Sequence, residues 1–300
     1  MTVSDSFIYA LGRKVLPLSF PYSGVDITYA SERHDQIEIQ FADYKHCSFI
    51  NMGFKKSAFK NSHFLNCIFI DCYFRRAEFK NCTFTGCKFI NCDFEHVNLI
   101  CCDFRYSRFS NCYINYQQMN YNLPREPNLC EEISRNLYLE CSNLGLSKQA
   151  KLYRTIELKS HEKHLKAAVL HSSQWYAEHF NGLRRVIALI SLIGSTINFW
   201  LWGYGQQMRK LVFHALILPL IIFPLIYMVF VDHLAHQTKE VINIIDLIPF
   251  SIVTFLPIGS SSIIDSPYIW VQVIFGLESL LGVIITALFT AYLFHWILHR

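Results

Sequence analysis

Every fifth residue from Tyr44 to Ile114 is large and apolar, mostly phenylalanine, over fifteen consecutive positions. A period of five is neither the 3.6 of an amphipathic helix nor the 2 of a strand. Two residues before each large one stands a mostly small one, such as Cys47, Ser57, Ser62, Cys67, Ala77 or Val97. Further along, the pattern becomes continuous. Leu211 to Val231 is a 21-residue stretch without Lys, Arg, Asp or Glu, and Tyr268 to Leu298 is a second, with Glu278 as its only such charge. Each has the roughly 20 apolar residues that a transmembrane helix needs. Between them, Leu247 to Ile264 is also apolar but is broken by Pro249, Pro257 and Gly259. It is too interrupted for a third straight span and too apolar for an ordinary loop. Irregular backbone at membrane depth is tolerated only where protein buries it or water lines it. The pattern therefore predicts helix, re-entrant segment, helix.

Between the repeat and the first span the pattern predicts two helices. Pro124 and Pro127 end the repeat. Asn128 is a candidate cap for a helix through about Asn143, with Glu131 completing a capping box and Gly145 as the stop. Ser147 is a candidate cap for a longer helix through about Phe180, stopped by Asn181-Gly182. It carries His161, His164, His171 and His179. The first two are spaced for a metal or pH site, against a solvated polar face, and no carboxylate or cysteine partner is placed by the spacing. Val186 to Trp202 is apolar but short, interrupted by Ser191, Gly194, Ser195, Thr196 and Asn198. Arg184 and Arg185 precede it, and Arg209 and Lys210 follow. Equal positive charge on both sides favours an interfacial helix with Trp200 and Trp202 at headgroup level over a third span. Gly203-Tyr204-Gly205 reads as an elbow.

The period-five pattern resembles the pentapeptide-repeat family. That resemblance implies a right-handed four-sided β-helix with about four pentads per coil, the large and small residues pointing inward. Residues 39 to 119 then give about four coils, a rod of roughly 20 Å. The paired helices, with Tyr153 and Arg154 among polar neighbours, resemble the hairpin that often joins such repeats to channel domains. The segment Phe250-Ser251-Ile252-Val253-Thr254-Phe255-Leu256-Pro257-Ile258-Gly259 resembles the pore helix and filter entry of the two-transmembrane potassium-channel family. The family continues into Thr-Thr-x-Gly-Tyr-Gly-Asp. Here Leu256, Pro257, Ile258, Gly259, Ser260, Ser261 and Ser262 stand on those seven places, and only the first glycine survives. Glu278-Ser279-Leu280-Leu281-Gly282 resembles the start of the family's inner helix, with Gly282 where a gating hinge is often found. The resemblance implies a homotetramer enclosing a pore.

The departures bear on selectivity. A potassium filter is a column of backbone carbonyls that replaces the hydration shell. Building it requires φ > 0 at places that glycine fills cheaply. Ser260 and Ser261 fill them less easily, and Pro257 has a fixed φ and no N–H. Weak discrimination between K+ and Na+ is expected, with Thr254 and residues 256–262 lining the pore. Asp246 is a plausible N-cap for a pore helix running to about Leu256. The partly negative C-terminal ends of four such helices would favour a cation in the cavity. Asp265 either adds a negative ring at the outer mouth or caps its loop and faces water. Glu278, an ionisable group inside a span, is costly there. It either braces the loop, through backbone, Ser260 or Ser261, or snorkels to the outer interface.

Charge fixes an expected orientation. The segment from Asp232 to Pro267 holds one Lys and no Arg against Asp232, Glu240, Asp246 and Asp265, while Arg209 and Lys210 flank the first span and Arg300 ends the second. By the positive-inside rule both termini are cytoplasmic and the chain is a multi-pass protein of the cell's inner (plasma) membrane. No signal peptide is expected, since Arg13 and Lys14 interrupt the apolar residues of the first twenty. The net charge of +4 is modest. Residues 37–120 carry seven acids against ten Lys and Arg, which argues against an acidic rod mimicking DNA and against a nucleic-acid partner.

The eleven cysteines fall into columns twenty apart: Cys47, Cys67 and Cys87; Cys72, Cys92 and Cys112; Cys82 and Cys102. A ladder of inward thiols does not converge on a zinc ion, and no disulfides are expected in a reducing cytoplasm. No phosphate-binding loop or nucleophile elbow appears, so neither an enzyme nor a cofactor is expected.

The expected organisation is an N-terminal segment (1–36), a pentapeptide-repeat β-helix (37–120), a cytosolic helical connector (124–182), an interfacial amphipathic helix and elbow (183–207), and a pore domain (208–300). Within the last lie a first span at 211–231, a pore helix and filter at 246–264, and a second span at 268–298. The expected function is a tetrameric channel for monovalent cations, gated or positioned by its repeat domain, in contact with lipid, with the repeat open to a cytosolic protein or ligand. The alternative is a membrane-tethered binding or signalling scaffold with a non-conducting pore-like fold.

Overall fold

The computed structural model describes residues 15–19, 22–205, 207–236, 242–256 and 264–298. The chain divides into two compact units, Met1–Leu189 and Ile190–Arg300.

The first unit is a β-solenoid closed by helices. Three-residue strands stack in parallel with a step of twenty residues, so that Phe69 pairs with Phe89 and Phe89 with Phe109. One side is β1 (Ser23–Val25), β4 (Asp43–Lys45) and β7 (His63–Leu65). The next is β2 (Thr28–Ala30), β5 (Ser48–Ile50), β8 (Ile68–Ile70), β10 (Lys88–Ile90) and β12 (Arg108–Ser110). Another is β3 (Glu38–Gln40), β6 (Ala58–Lys60), β9 (Glu78–Lys80) and β11 (Asn98–Ile100). The fourth side is a run of single bridges, Arg33 to Gly53 to Tyr73 to Asp93 to Tyr113. The solenoid begins earlier than the phenylalanine run suggests. Residues 22–36, expected to be a leading segment, already form β1 and β2, with Gly24 and His34 at two of the places that Phe fills later.

The period of five has three physical causes. The large residue stacks inward on its counterpart one coil away, with ring centroids 4.8 Å apart for Phe49–Phe69 and 4.9 Å for Phe69–Phe89. Where the small residue is Cys or Ser, its donor reaches a carbonyl of the previous coil. Cys67 Sγ donates to Tyr44 O (3.4 Å), Cys72 Sγ to Phe49 O (3.3 Å) and Ser57 Oγ to His34 O (2.7 Å). Burial raises the Cys82 thiol to about 11 and the Cys102 thiol to about 12, so these are packed donors rather than reactive thiolates. Finally, each corner needs a left-handed residue, and Asn51, Asn61, Asn66, Asn81, Asn91 and Asn111 supply it at φ 50–54°.

The last coil would leave open backbone groups, and polar side chains take the place of the missing coil. Gln118, within α1 (Tyr116–Asn120), accepts from Leu99 N at 3.0 Å, and Asn122 accepts from Cys102 N at 2.7 Å. From α2 (Pro127–Asn143), Asn136 accepts from Phe109 N at 2.7 Å and donates to Phe109 O at 2.9 Å, while Glu140 accepts from Asn111 N at 2.6 Å. The cap of α2 is Glu126 with Pro127 as the first helical residue, not Asn128, because proline's fixed φ and missing N–H suit that position. Gly145 turns the chain at φ +73°.

The second connector helix is shorter than its pattern. α3 (Ser147–Leu170) ends where His171 adopts a left-handed conformation at φ 50°, and a separate α4 (Gln174–His179) follows. His171 Nε2 meets Phe180 O at 2.9 Å, which holds α4 folded back. Ser147 is the first residue of α3 rather than its cap.

α5 (Leu183–Trp202) is a continuous 20-residue helix. It starts three residues before the apolar run does, so it is long enough to cross a bilayer, which removes shortness as an argument against a span. Among the described residues three helices are long and apolar enough to cross a membrane: Leu183–Trp202, Met208–Val229 and Ile269–Phe294. Between the first two, Gly203, Tyr204 and Gly205 all have positive φ (60°, 58° and 79°), which makes the elbow.

In the second unit the Met208–Val229 span is not uniform. α6 (Met208–Ile217) and α7 (Phe223–Val229) are joined by a π-helical turn, Leu218–Ile222, at Pro219 and Pro224, as expected where prolines remove helical donors. α8 (Ile244–Phe255) is short and apolar, and α9 (Ile269–Leu298) is a 30-residue apolar helix. A two-residue antiparallel pair, β13 (Ala235–His236) and β14 (Ile264–Asp265), ties the segments flanking α8 together.

Candidate functional site

The candidate site lies where α7, α8 and α9 meet. Glu278 is fully buried. Its carboxylate accepts hydrogen bonds from the Tyr227 hydroxyl of α7 and the Ser251 hydroxyl of α8. Among the described residues no cation pairs with it. A buried carboxylate without a counter-charge is held only by such donors, so Glu278 joins α7, α8 and α9 at one point.

A stripe on each helix makes the junction. Glu278, Ser279 and Gly282 share one face of α9, and Ser251, Thr254 and Phe255 share one face of α8, by the three- and four-residue spacing of helices. Ser279 Oγ donates to Thr254 O at 2.8 Å. A Cβ on Gly282 would run into the Phe255 carbonyl. Gly282 is therefore a close-approach glycine, where α9 touches the backbone end of α8. Thr254 Oγ1 turns back to Phe250 O at 2.9 Å.

The start of α8 corrects one expectation. Its N-cap is Asn243, and Asp246 sits three residues on as the acid of a reciprocal capping box, accepting from Asn243 N at 3.1 Å. The Asn-x-x-Asp spacing puts Asp246 at the place a box acid occupies, which is why it is not the cap itself. Leu256 is the C-cap, partly exposed, in an extended conformation. Pro257, Ile258, Gly259, Ser260, Ser261 and Ser262 lie outside the described residues. Asp265 is exposed and its carboxylate accepts from Ser266 N at 2.7 Å. Ser266 Oγ, in turn, donates to His233 O at 2.7 Å.

Tyr227, Ser251 and Ser279 were not singled out from sequence. Each is a hydroxyl within an apolar stretch, and only the register between helices assigns Tyr227 and Ser251 to Glu278. The histidine reading also changes. His161 Nδ1 meets Glu131 Oε1 of α2 at 3.1 Å, a carboxylate that spacing along α3 alone could not place. His164 Nδ1 meets the Tyr176 hydroxyl of α4 at 2.9 Å, and burial lowers its pKa below the ordinary 6.5. Glu157, 3% exposed, is held by Arg135 of α2 at 2.9 Å and Arg154 at 2.6 Å.

Comparison with known proteins covers the repeat alone. Residues 37–119 match the family model of the pentapeptide repeat region. Among solved structures, the chain is similar to HetL, a pentapeptide repeat protein involved in heterocyst differentiation regulation from the cyanobacterium Nostoc sp. strain PCC 7120. The identity is 15% and the TM-score 0.22, over 39% of this chain and 50% of that one. The chain thus spans about half the length of that structure. No curated protein matches.

Proposed function

We propose that this chain is one subunit of a homotetrameric channel for monovalent cations, with α8 as its pore helix and residues 256–262 as its filter. One observation carries the reading. The buried Glu278 carboxylate holds the short helix α8 to both α7 and α9 through Ser251 and Tyr227. A short apolar helix pinned at membrane depth by a buried acid suits a re-entrant element whose following backbone lines water. Four chains close the ring. Gly-Ser-Ser in place of Gly-Tyr-Gly supports weak K+/Na+ discrimination.

In this reading the chain is a multi-pass protein of the cell's inner membrane with both ends cytoplasmic. α5 lies in the inner leaflet: Ser191, Ser195 and Asn198 fall on one of its faces, and Arg184 and Arg185 begin it. The solenoid and its helical cap regulate or position the gate. Reversal potentials of the purified protein in planar bilayers, under opposed K+ and Na+ gradients, test the reading. A cation-following, weakly K+-selective potential is expected. A chloride-following potential overturns the pore-helix argument, and absence of conductance favours the scaffold.

A further inference from the structure

One corner of the solenoid carries no Asn, Asp or Gly at its left-handed position in any coil. The left-handed position there is occupied, coil by coil, by Gln36, Lys56, Arg76 and His96 at φ 56–60°, whereas the asparagine-rich corners carry Asn. Long side chains fit that conformation less well than Asn or Gly. Beside them, on the same side, stand Asp35, Lys55, Arg75 and Glu95. Lys56 N donates to Arg75 O and Arg76 N to Glu95 O, which fixes the stacking of these coils. Two neighbouring coils thus place Lys55, Lys56, Arg75 and Arg76 side by side, all exposed. Like charges held this close on adjacent coils repel. Of these four cations, the described contacts pair only Arg75, to Glu95 at 2.6 Å.

A fifth cation is set in place. Arg33 lies across Gly53 on the bridged side, where any Cβ would run into its side chain. Its guanidinium sits over the Tyr73 ring, 4.8 Å from the centroid. Stacking of this kind orders the guanidinium while leaving its donors free for an anion. The patch is also fenced. Asp35 and Glu95 end the lysine–arginine column on either side, and Asp93 ends the column of Arg33 and Tyr73. A nucleic-acid duplex would have to lie on those carboxylates. A compact ligand would not.

We propose that this corner, Arg33, Lys55, Lys56, Arg75 and Arg76 around Gly53 and Tyr73, is a binding site for a compact ligand bearing two or more phosphoryl groups. Two such groups would bridge the adjacent coils and relieve the repulsion between them, through charge-assisted hydrogen bonds from guanidinium and ammonium. The ligand is free in solution or is the doubly phosphorylated headgroup of a lipid. The site is independent of whether the chain conducts ions.

The test uses the full chain in nanodiscs of zwitterionic lipid, titrated calorimetrically with inorganic triphosphate and, separately, with orthophosphate. A second set of nanodiscs carries a doubly phosphorylated inositol lipid, probed by competition with triphosphate. Triphosphate should bind at least about tenfold more tightly than orthophosphate, and the double variant Lys56→Gln/Arg76→Gln should lose about tenfold or more. The control Lys80→Gln/Lys88→Gln, on other sides of the rod, should lose nothing, and circular dichroism establishes that both variants keep the solenoid. Binding to the lipid-borne groups alone, abolished in the patch variant, sustains the site and assigns its ligand to the membrane. Equal affinity for triphosphate and orthophosphate, equal loss in the control, or no binding from either source overturns the proposal. Lys55→Gln alone repeats the test should the double variant misfold.

Discussion

The buried junction at Glu278 makes a graded prediction. Replacing Glu278 by Leu removes the shared acceptor of two buried hydroxyls, Tyr227 and Ser251. A buried polar group left without a partner costs about 1–3 kcal/mol, so two cost about 2–6 kcal/mol. Glu278→Gln keeps an acceptor oxygen but loses the charge, and hydrogen bonds to charged groups are worth about 1.5–3 kcal/mol against about 1 for neutral ones. It should therefore cost less than Glu278→Leu. Tyr227→Phe and Ser251→Ala each remove one donor and should fall between wild type and Glu278→Leu. Because the three groups form one network, the pair Tyr227→Phe/Glu278→Leu should destabilise less than the sum of its single changes, by about 0.5–3 kcal/mol. The assay is thermal unfolding of the detergent-solubilised protein, followed by retention of its native size. Under the channel reading, Glu278→Gln should keep the assembly and alter single-channel conductance or its persistence. If Glu278→Leu is as stable as wild type and the cycle shows strict additivity, the carboxylate is not held by these hydroxyls and the junction is misread.

Native mass measurement in detergent should give a tetramer, and a monomer or dimer would remove the pore proposal. Phe69→Ala should destabilise the solenoid by about 3–5 kcal/mol, since it opens a cavity between stacked rings; the solenoid's unfolding transition by circular dichroism measures this. His164 is held neutral by burial, so the unfolded chain takes up its proton more readily. Stability from this residue is present above its ordinary 6.5 and is lost as pH falls below it, and His164→Gln should flatten that limb of the stability–pH curve. Asn136→Leu should strip both the acceptor and the donor from Phe109's backbone, and hydrogen exchange at the last coil should rise above that of the coils before it.

Much of the solenoid was legible because one repeated unit meets one repeated environment. Period five, the inward cysteine columns and the twenty-residue step all follow from the strand register. The first coil was less legible, because Gly24 and His34 satisfy the geometry without the phenylalanine signal. The connector was mis-spliced at His171 because an Asn-Gly pair ten residues later is the stronger sequence signal. The left-handed His171 depends on α4 folding back, a tertiary contact. The α8 cap was displaced by three residues for a related reason: Asn243 and Asp246 are both good caps, and only the backbone path decides which is which. Glu278 was visible as an anomaly in an apolar run. Its partners were not, since Tyr227 precedes it by fifty-one residues and Ser251 by twenty-seven.

In a solenoid, these constraints also decide where function can be written. The inward positions are committed to stacking and to carbonyl capping, and each corner to a residue that tolerates φ > 0. Asparagine answers that demand and also stacks on itself, as Asn81 Nδ2 does on Asn61 Oδ1 at 3.1 Å and Asn111 Nδ2 on Asn91 Oδ1 at 2.8 Å. A corner filled instead by Lys56 and Arg76 gives up both advantages. Sequence choices that oppose local preference without a visible gain in packing are the ones that recognition of a ligand accounts for. Replacing Lys56 and Arg76 together by Asn should therefore raise the solenoid's unfolding temperature while abolishing triphosphate binding. Were the exchange to destabilise the solenoid instead, the cations would be serving the fold, and the corner would need no ligand to explain it.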